Sequence, residues 1–186
     1  DHREVGSDAF GWIIENRQMR ETLYERLKTV NTPVDLFHDE ATAFDAQTNH
    51  VDITLKSGAT LKTSLLIGAD GHTSSVREWL DIPTKGWDYG QSAIVCCVDH
   101  ELDHENIAVE HFLPAGPFAI LPMLNEKGER KRSSVVWSIH GDDAQDIVNL
   151  DTDAFNAALQ EKFGDQLGTV SLIGGKFSFP LSLKHA

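Results

Sequence analysis

The sequence is poor in cysteine, in basic residues and in long apolar runs. Its two cysteines, Cys96 and Cys97, are adjacent. Neighbouring side chains of a strand point to opposite faces, so we expect reduced thiols of a cytosolic protein rather than a disulfide. No apolar run approaches the roughly 20 residues of a membrane-spanning helix. Acidic residues outnumber basic ones by 29 to 16, and the net charge of −13 argues against a nucleic-acid surface and a polybasic membrane anchor.

Residues 65–77 combine an apolar run, a turn with two glycines and the start of a helix. The unbroken apolar run at residues 65–67 is typical of a central strand that is covered on both faces. Ser75, with Glu78 three residues later, has the spacing of a capping box, which predicts a helix that begins there. Asp70 would then stand just past the carboxyl end of a strand, where open α/β sheets bind their ligands.

The polar residues of this turn suit a ligand with hydroxyl and phosphate groups. A carboxylate at Asp70 accepts hydrogen bonds from ligand hydroxyls, and Arg77 brings a positive charge that suits phosphate. Gly68 and Gly71 tolerate positive φ and allow a close approach of the backbone. The spacing alone leaves a second interpretation equally open, in which Asp70 only caps a polar turn.

Hydrophobic periodicity predicts two regions of different architecture. The first region would contain a helix from Asn16 to a stop before Asn31, and strands at residues 10–14, 34–37, 41–44, 51–55 and 59–61. A loop at residues 85–90 would separate it from the second region. There we expect an antiparallel sheet with strands at residues 91–98, 107–113, 118–123, 133–139 and 169–183. One helix, capped by Asp151 and ended by Gly164, would cover this sheet.

Several motifs together resemble the class A flavin monooxygenases, whose fold is that of p-hydroxybenzoate hydroxylase. The turn Gly68-Ala69-Asp70-Gly71, followed by Ser74, Val76 and Arg77, is similar to the aspartate–glycine motif of that family. Further segments, in the family's order, resemble its ubiquinone-biosynthesis hydroxylases. These segments are Glu15-Asn16-Arg17, Trp87-Asp88-Tyr89-Gly90-Gln91, Phe112-Leu113-Pro114-Ala115-Gly116-Pro117 and Phe179-Pro180-Leu181-Ser182-Leu183.

The resemblance implies an α/β (α+β) fold of the p-hydroxybenzoate hydroxylase type. It assigns residues 1–84 to part of an FAD-binding domain, residues 85–183 to an antiparallel-sheet substrate domain, and residues 184–186 to a return toward further FAD-binding structure. The sequence contains no G-x-G-x-x-G, and its one glycine–aspartate pair after a helix, Gly164-Asp165, is typical of a helix end rather than of the family's second flavin motif. We therefore expect the central part of a longer enzyme, inactive by itself.

The resemblance also implies an activity and a site. The expected function is FAD-dependent hydroxylation of a polyprenylated phenol in ubiquinone biosynthesis, with NAD(P)H, O₂ and a flavin C4a-hydroperoxide. The expected cofactor-binding residues are Arg17 beside the flavin, Asp70 and Gly71 against FAD, and Arg77 near a phosphate of FAD or NAD(P)H. No side chain need act as a catalytic nucleophile, and no metal or nucleic acid is expected. The expected location is the cytoplasm, with peripheral contact to the inner membrane and to ubiquinone-biosynthesis proteins.

Three alternatives stay open. The first is a flavoenzyme of the same fold that acts on another aromatic compound, and the second is a non-catalytic binding domain. The third is a zinc hydrolase, because His100-Glu101-Leu102-Asp103-His104 matches H-E-x-x-H. Zinc chemistry needs both histidines on one face of a helix. This segment follows an apolar strand and has no amphipathic pattern, so we favour a solvated acidic hairpin loop.

Overall fold

The structure is a computed structural model, and it describes residues 4–6 and 8–186. The first unit comprises Trp87–Leu183 with the described residues of Asp1–Arg20, and the second comprises Glu21–Gly86 with Lys184–Ala186. The elements in chain order are α1 (Asn16–Leu27), β1 (Ala41–Ala46), β2 (Val51–Leu55), β3 (Thr60–Thr63), α2 (Ser75–Trp79), β4 (Lys85–His100), β5 (Val109–Leu113), β6 (Gly116–Met123), β7 (Arg132–His140), α3 (Gly141–Asn149), α4 (Thr152–Phe163) and β8 (Val170–His185). The predicted domain ranges stay predictions.

The first unit is a five-stranded sheet with the order β5-β6-β7-β4-β8. Antiparallel pairing puts Trp137 of β7 opposite both Ile94 of β4 and Phe118 of β6. Because side chains alternate along a strand, every second residue of these strands faces the same way. That face forms a buried apolar core with α3 and α4. The fully buried large members of the core include Phe118, Ile94, Val98, Val135, Phe155, Leu159 and Phe163.

The helix α4 follows its sequence signals closely. The Asp151 carboxylate accepts a hydrogen bond from the backbone N–H of Ala154 at 2.8 Å, and Gly164 ends the helix with φ of 64°. Phe155, Leu159 and Phe163 stand four residues apart, so they share one face and bury it on the sheet. The cap, the apolar face and the glycine end are confirmed. The edge position of β8, which contains Pro180, also agrees with the prediction.

A second helix covers the same sheet, so the prediction of one covering helix is wrong. The nine-residue α3 carries Asp142 and Asp143 in its first turn, where negative charge favours a helix N-terminus. It buries Ala144, and Ile147 packs against the core. Its short apolar stripe begins directly after β7, and tertiary burial rather than propensity supports it.

The second unit contains the antiparallel meander β1-β2-β3, which confirms the predicted hairpins. Ile53 and Leu55 of β2 are buried. Phe44 of β1 packs against Trp79 of α2 with ring centroids 5.8 Å apart. This contact packs α2 on the meander and so fixes the position of the turn that precedes α2.

Three predicted strands are not formed. Residues 10–14, 34–37 and 65–67 have no regular secondary structure, although they are apolar enough for strands. Leu65 and Ile67 are 69% and 74% exposed, so the expectation of a strand buried on both faces is wrong. A strand also needs a neighbour to bond its backbone, and nowhere in the described residues does one pair with these segments.

One smaller expectation also fails. Residues 85–90, predicted as a loop, are the first part of the 16-residue β4. Trp87 and Tyr89 are two residues apart on β4, so they lie on the same face, and their rings make an edge-on contact with centroids 6.1 Å apart.

Within the residues that the structure describes, no helix has both the length and the hydropathy to cross a membrane.

A pair of phenylalanine substitutions tests the position of the core. Phe118→Ala should lower the free energy of unfolding by about 3–5 kcal/mol, because it opens a cavity beside Trp137 and Phe163. Phe112→Ala should change it by less than about 0.5 kcal/mol, because Phe112 is 85% exposed. Denaturant titrations of both variants give the comparison. Equal losses of unfolding free energy in the two variants would contradict the assignment of Phe118 to the buried face and Phe112 to the exposed face.

Candidate functional site

The turn between the apolar run and α2 is built from local hydrogen bonds. Gly71 has φ of 87°, the left-handed conformation that glycine adopts without strain. Ser74 is the N-cap of α2, and its Oγ accepts a hydrogen bond from the backbone N–H of Arg77 at 3.1 Å. The predicted cap at Ser75 is therefore displaced by one residue, because Ser74 is the serine whose hydroxyl faces the first helical turn.

The Asp70 carboxylate lies against this helix start. Oδ1 accepts a hydrogen bond from Ser74 Oγ at 2.5 Å, and Oδ2 accepts one from the backbone N–H of Val76 at 3.2 Å. The hydrogen bond from Ser74, followed by the one from Val76, lowers the pKa of Asp70 below its ordinary value. The carboxylate therefore stays ionised through neutral and mildly acidic pH. The capping interpretation of Asp70 is correct, and free lone pairs remain on both oxygens for a ligand.

Arg77 projects from the first turn of α2. Its guanidinium donates a hydrogen bond to the carbonyl oxygen of His72 at 2.8 Å. A guanidinium has five N–H donors, so this contact orients the group and leaves donors for an anion. The backbone and the side chain of Arg77 are thus both held by residues of the same turn.

These groups line one open pocket of about 310 Å³ in the second unit. Its lining residues are Gly68, Asp70, Gly71, Ser74, Val76, Arg77, Leu80, Ile82 and Ala186. A side chain at Gly68 would lie 2.8 Å from Cγ1 of Val76, whereas a Cβ at Gly71 would meet nothing within 4 Å. Gly68 therefore permits close packing of the turn on α2, and Gly71 faces open space.

The structure brings three of the four predicted site residues together. Asp70, Gly71 and Arg77 line the pocket, while Arg17 lies in the first turn of α1 in the other unit. Ser74 is a member that sequence reasoning did not assign. The signal was present in the spacing, because Ser74 follows Asp70 by four residues and precedes Arg77 by three.

The H-E-x-x-H segment does not have the geometry of a zinc helix. His100 ends β4, residues 101 and 102 form a bend, and residues 103 and 104 have no regular secondary structure, so the segment is not a helix. In the described part of the chain, no group of three His, Cys, Asp or Glu side chains could hold a metal ion. The expectation of a solvated loop is also wrong for the histidines, since His100 and His104 are both buried.

The two cysteines are free, as predicted. Cys96 faces the core and Cys97 faces the opposite side of the sheet. Burial raises the pKa of Cys96 to about 12 and also raises the pKa of Cys97. Both are therefore protonated thiols at neutral pH, which is unsuitable for nucleophilic chemistry.

Removal of the Ser74 hydroxyl tests how the turn is held. Ser74→Ala should raise the pKa of Asp70 toward its ordinary value, because the largest stabilising hydrogen bond of the carboxylate is lost. Loss of the cap should also cost about 0.5–2 kcal/mol of stability. Carboxyl NMR titration measures the first effect and denaturant unfolding the second. Ser75→Ala is the control, and an unchanged Asp70 titration in Ser74→Ala would contradict the arrangement.

The chain matches a known family and several named proteins. Residues 13–178 match the model of a family described as "FAD binding domain". The chain is 42% identical to "Ubiquinone hydroxylase UbiL" from Rhodospirillum rubrum over 95% of its own length and 40% of that protein. It is 33% identical to "Ubiquinone biosynthesis monooxygenase COQ6, mitochondrial" from Homo sapiens over 95% of this chain and 39% of that one. The chain thus spans about two fifths of the length of these relatives.

A solved structure shares the fold. The flavin-dependent monooxygenase PieE, solved in complex with FAD and substrate, aligns with a TM-score of 0.69 over 91% of this chain and 30% of that chain, at 16% identity. At this identity the likeness shows the fold, and it confirms the predicted fold class. Two relatives named above are a ubiquinone hydroxylase and a ubiquinone biosynthesis monooxygenase, in agreement with the resemblance of the sequence motifs. With 166 of its 186 residues (13 to 178) matched by the family model, the chain belongs to the family of FAD-binding domains.

Proposed function

We propose that this chain serves an FAD-dependent monooxygenase that hydroxylates a polyprenylated phenol on the route to ubiquinone. The observation that carries the proposal is the pocket in which Asp70, Gly71 and Arg77 meet, in a chain that belongs to an FAD-binding family. The names of the relatives supply the substrate class, since a ubiquinone hydroxylase acts on a ubiquinone precursor.

The residues of the pocket fit a portion of FAD. Ligand pockets commonly measure about 300–1,000 Å³. The volume of about 310 Å³ is therefore small, and it suits a ribityl or diphosphate portion rather than a whole dinucleotide. The lining includes an ionised carboxylate and a guanidinium, and also the apolar side chains of Leu80 and Ile82.

Each residue would hold a different part of the cofactor. Asp70 would accept hydrogen bonds from hydroxyl groups through the lone pairs that Ser74 and Val76 leave free. Arg77 would place positive charge near a phosphate of FAD or NAD(P)H while His72 orients it. Gly71 leaves space for close approach of the ligand to the backbone. FAD, when bound, supplies the redox chemistry that activates O₂.

The proposed reaction balances with the co-substrates of the family. A phenol, O₂, NAD(P)H and one proton give the hydroxylated phenol, NAD(P)⁺ and water. One oxygen atom enters the ring, and the other leaves as water. The protein would contribute binding, orientation and exclusion of solvent rather than a nucleophile.

Arg17 is proposed to lie beside the flavin. The motif Glu15-Asn16-Arg17 supports this role, and so does its place in the first turn of α1, where a positive charge opposes the helix dipole. A polyprenylated substrate is a lipid, so we propose that it is met at a membrane surface.

Flavin retention tests the cofactor site. Asp70→Asn in the intact protein should weaken FAD binding about tenfold or more, because hydrogen bonds to a charged acceptor are stronger than those to a neutral one. The ratio of visible flavin absorbance to protein absorbance, followed by FAD titration, measures the effect. The control is Asp45→Asn, which changes an exposed carboxylate on β1 of the same unit. Equal FAD affinity in the two variants would show that Asp70 does not bind the cofactor. A protein that cannot be reconstituted with FAD would overturn the proposal.

Substrate dependence tests the assigned class. NAD(P)H oxidation by the FAD-loaded protein should be stimulated by a phenol with a prenyl tail, with formation of the hydroxylated product. The same phenol without its tail should be a poorer substrate because the apolar contacts are lost. Equal product formation from both phenols would favour the alternative, a flavoenzyme of this fold that acts on another aromatic compound. Product analysis by mass spectrometry separates hydroxylation from unproductive NAD(P)H oxidation.

A further inference from the structure

Two buried histidines stand where β4 leaves the five-stranded sheet. His100 is the last residue of β4, and His104 lies in the connection to β5. Each is only 5% exposed, and the two rings make an edge-on contact with centroids 5.8 Å apart. The proposed flavin function makes no use of them, and the pair belongs to the first unit, whereas the Asp70 pocket belongs to the second.

The bonds of His104 define a neutral ring. Its Nδ1 accepts a hydrogen bond from the backbone N–H of Asn106 at 3.0 Å, and its Nε2 lies 2.7 Å from the carbonyl oxygen of Met123. A carbonyl can only accept, so Nε2 carries the proton and Nδ1 carries the lone pair. A proton added at Nδ1 would face the N–H of Asn106 and break that hydrogen bond.

His100 is held in a similar way. Its Nδ1 lies 2.7 Å from the carbonyl oxygen of Leu102 and therefore donates, and its Nε2 lies 3.0 Å from Oγ of Ser133. Ser133 is fully buried on β7, so its hydroxyl has a fixed partner in this ring. Of the four ring hydrogen bonds, the one from His104 to Met123 reaches β6 and the one between His100 and Ser133 reaches β7, while the bonds to Leu102 and Asn106 stay within the connection. Histidine is the side chain whose charge changes most readily near neutral pH.

The same connection has several backbone attachments. The N–H of His100 donates to Lys131, that of His104 donates to Arg130, and that of Leu102 donates to Leu167. The turn itself is poorly favoured, because Glu105 and Asn106 have φ of 52° and 60° in the left-handed region. Three hydrogen bonds hold this turn: Asn106 N–H donates to His104 Nδ1, Glu105 N–H donates to Asp103 Oδ1, and Ile107 N–H donates to the carbonyl oxygen of His104. The first of them depends on a neutral His104 ring.

The charged groups around the rings are engaged elsewhere. Arg132 pairs with Asp99 at 2.9 Å, and Arg130 pairs with Asp103 at 2.9 Å. Glu101 accepts a hydrogen bond from the N–H of Thr169. The remaining charged groups of these segments are Glu105, Glu126, Lys127, Glu129 and Lys131. Each ring nitrogen has a backbone or hydroxyl group as its hydrogen-bond partner, and no carboxylate of the described residues bonds to either ring. Burial lowers the pKa of His100 by more than the charge of Asp99 raises it.

We propose that His100 and His104 form an acid-sensitive clasp, which holds the β4–β5 connection on the sheet while both rings are neutral and releases it when they are protonated. An open cleft of about 320 Å³, lined by Asp99, His100, Glu101, Thr169 and Ser171, gives solvent a route to His100. The clasp gives the H-E-x-x-H sequence a role that needs no metal.

The direction of the pKa shift agrees with the geometry. Burial, with a smaller contribution from His104, lowers the pKa of His100 below its ordinary value, and the Leu102 carbonyl opposes the shift only in part. A histidine with a lowered folded-state pKa contributes stability above its unfolded pKa of about 6.5, and this stability is lost as the pH falls toward the folded value. Release is therefore expected on the acidic side of neutrality.

Hydrogen exchange on the intact protein tests the clasp. After correction for intrinsic exchange, peptides that cover residues 101–108 should lose protection between pH 7.5 and pH 5. The limit is about thirtyfold for one ring of ordinary pKa about 6.5 that is protonated only in the open state. Peptides from β2 in the other unit are the internal reference. Constant protection of residues 101–108 in the wild-type protein would overturn the proposal by itself.

Substitutions separate the clasp from a merely structural role. His100→Gln and His104→Gln together should lower protection of residues 101–108 at pH 7.5 and abolish its further loss at pH 5. The control is His140→Gln, which changes an exposed histidine with no side-chain capping bond, and it should keep the wild-type pH profile. If the double variant kept the wild-type pH dependence, other groups would control the opening and the clasp would be refuted. Should the double variant not fold, ring-nitrogen NMR of the wild-type protein decides, because titration of both rings without loss of protection would refute the clasp.

Discussion

Burial of one face of the five-stranded sheet is the constraint on which the first unit depends. Phe118 packs edge-on against both Trp137 and Phe163, so strand β6, strand β7 and helix α4 meet at one fully buried ring. The face must stay apolar wherever the helices cover it. At its end, where His100 and Ser133 are buried, the polar atoms bond to one another and to the backbone. The same constraint that builds the core thus produces a buried pair of titratable rings.

In the second unit, the carboxylate that holds the turn is also the one proposed to bind the cofactor. Asp70 accepts bonds from Ser74 and Val76, and these bonds keep it ionised and fix its direction. A preorganised carboxylate loses less freedom when a ligand binds than a mobile one does. The capping bonds of Asp70 are therefore compatible with the proposed binding role, so the two interpretations of the sequence do not exclude each other.

Two short motifs of the sequence, the aspartate–glycine turn at Asp70 and the H-E-x-x-H segment, differ in whether the fold brings their side chains together. The turn at Asp70 keeps its three predicted residues together because they are close in sequence and joined by local hydrogen bonds. The H-E-x-x-H segment fails as a metal motif because its meaning depends on a helix, and the chain there leaves a strand. A motif of residue types carries chemistry only in the secondary structure that aligns its side chains.

Local signals by themselves determined much of this protein. Alternation located the meander at β1, β2 and β3, and a cap, an apolar stripe and a glycine located α4. The family motifs located the turn of Asp70, Gly71 and Arg77. Tertiary structure decided what local pattern cannot contain. Residues 65–67 stay unpaired because a strand needs a neighbour, α3 forms because the sheet accepts its apolar stripe, and His104 is buried because Met123, distant in sequence, lies beside it. These outcomes depend on partners remote in the chain, and periodicity over a few residues does not specify remote partners.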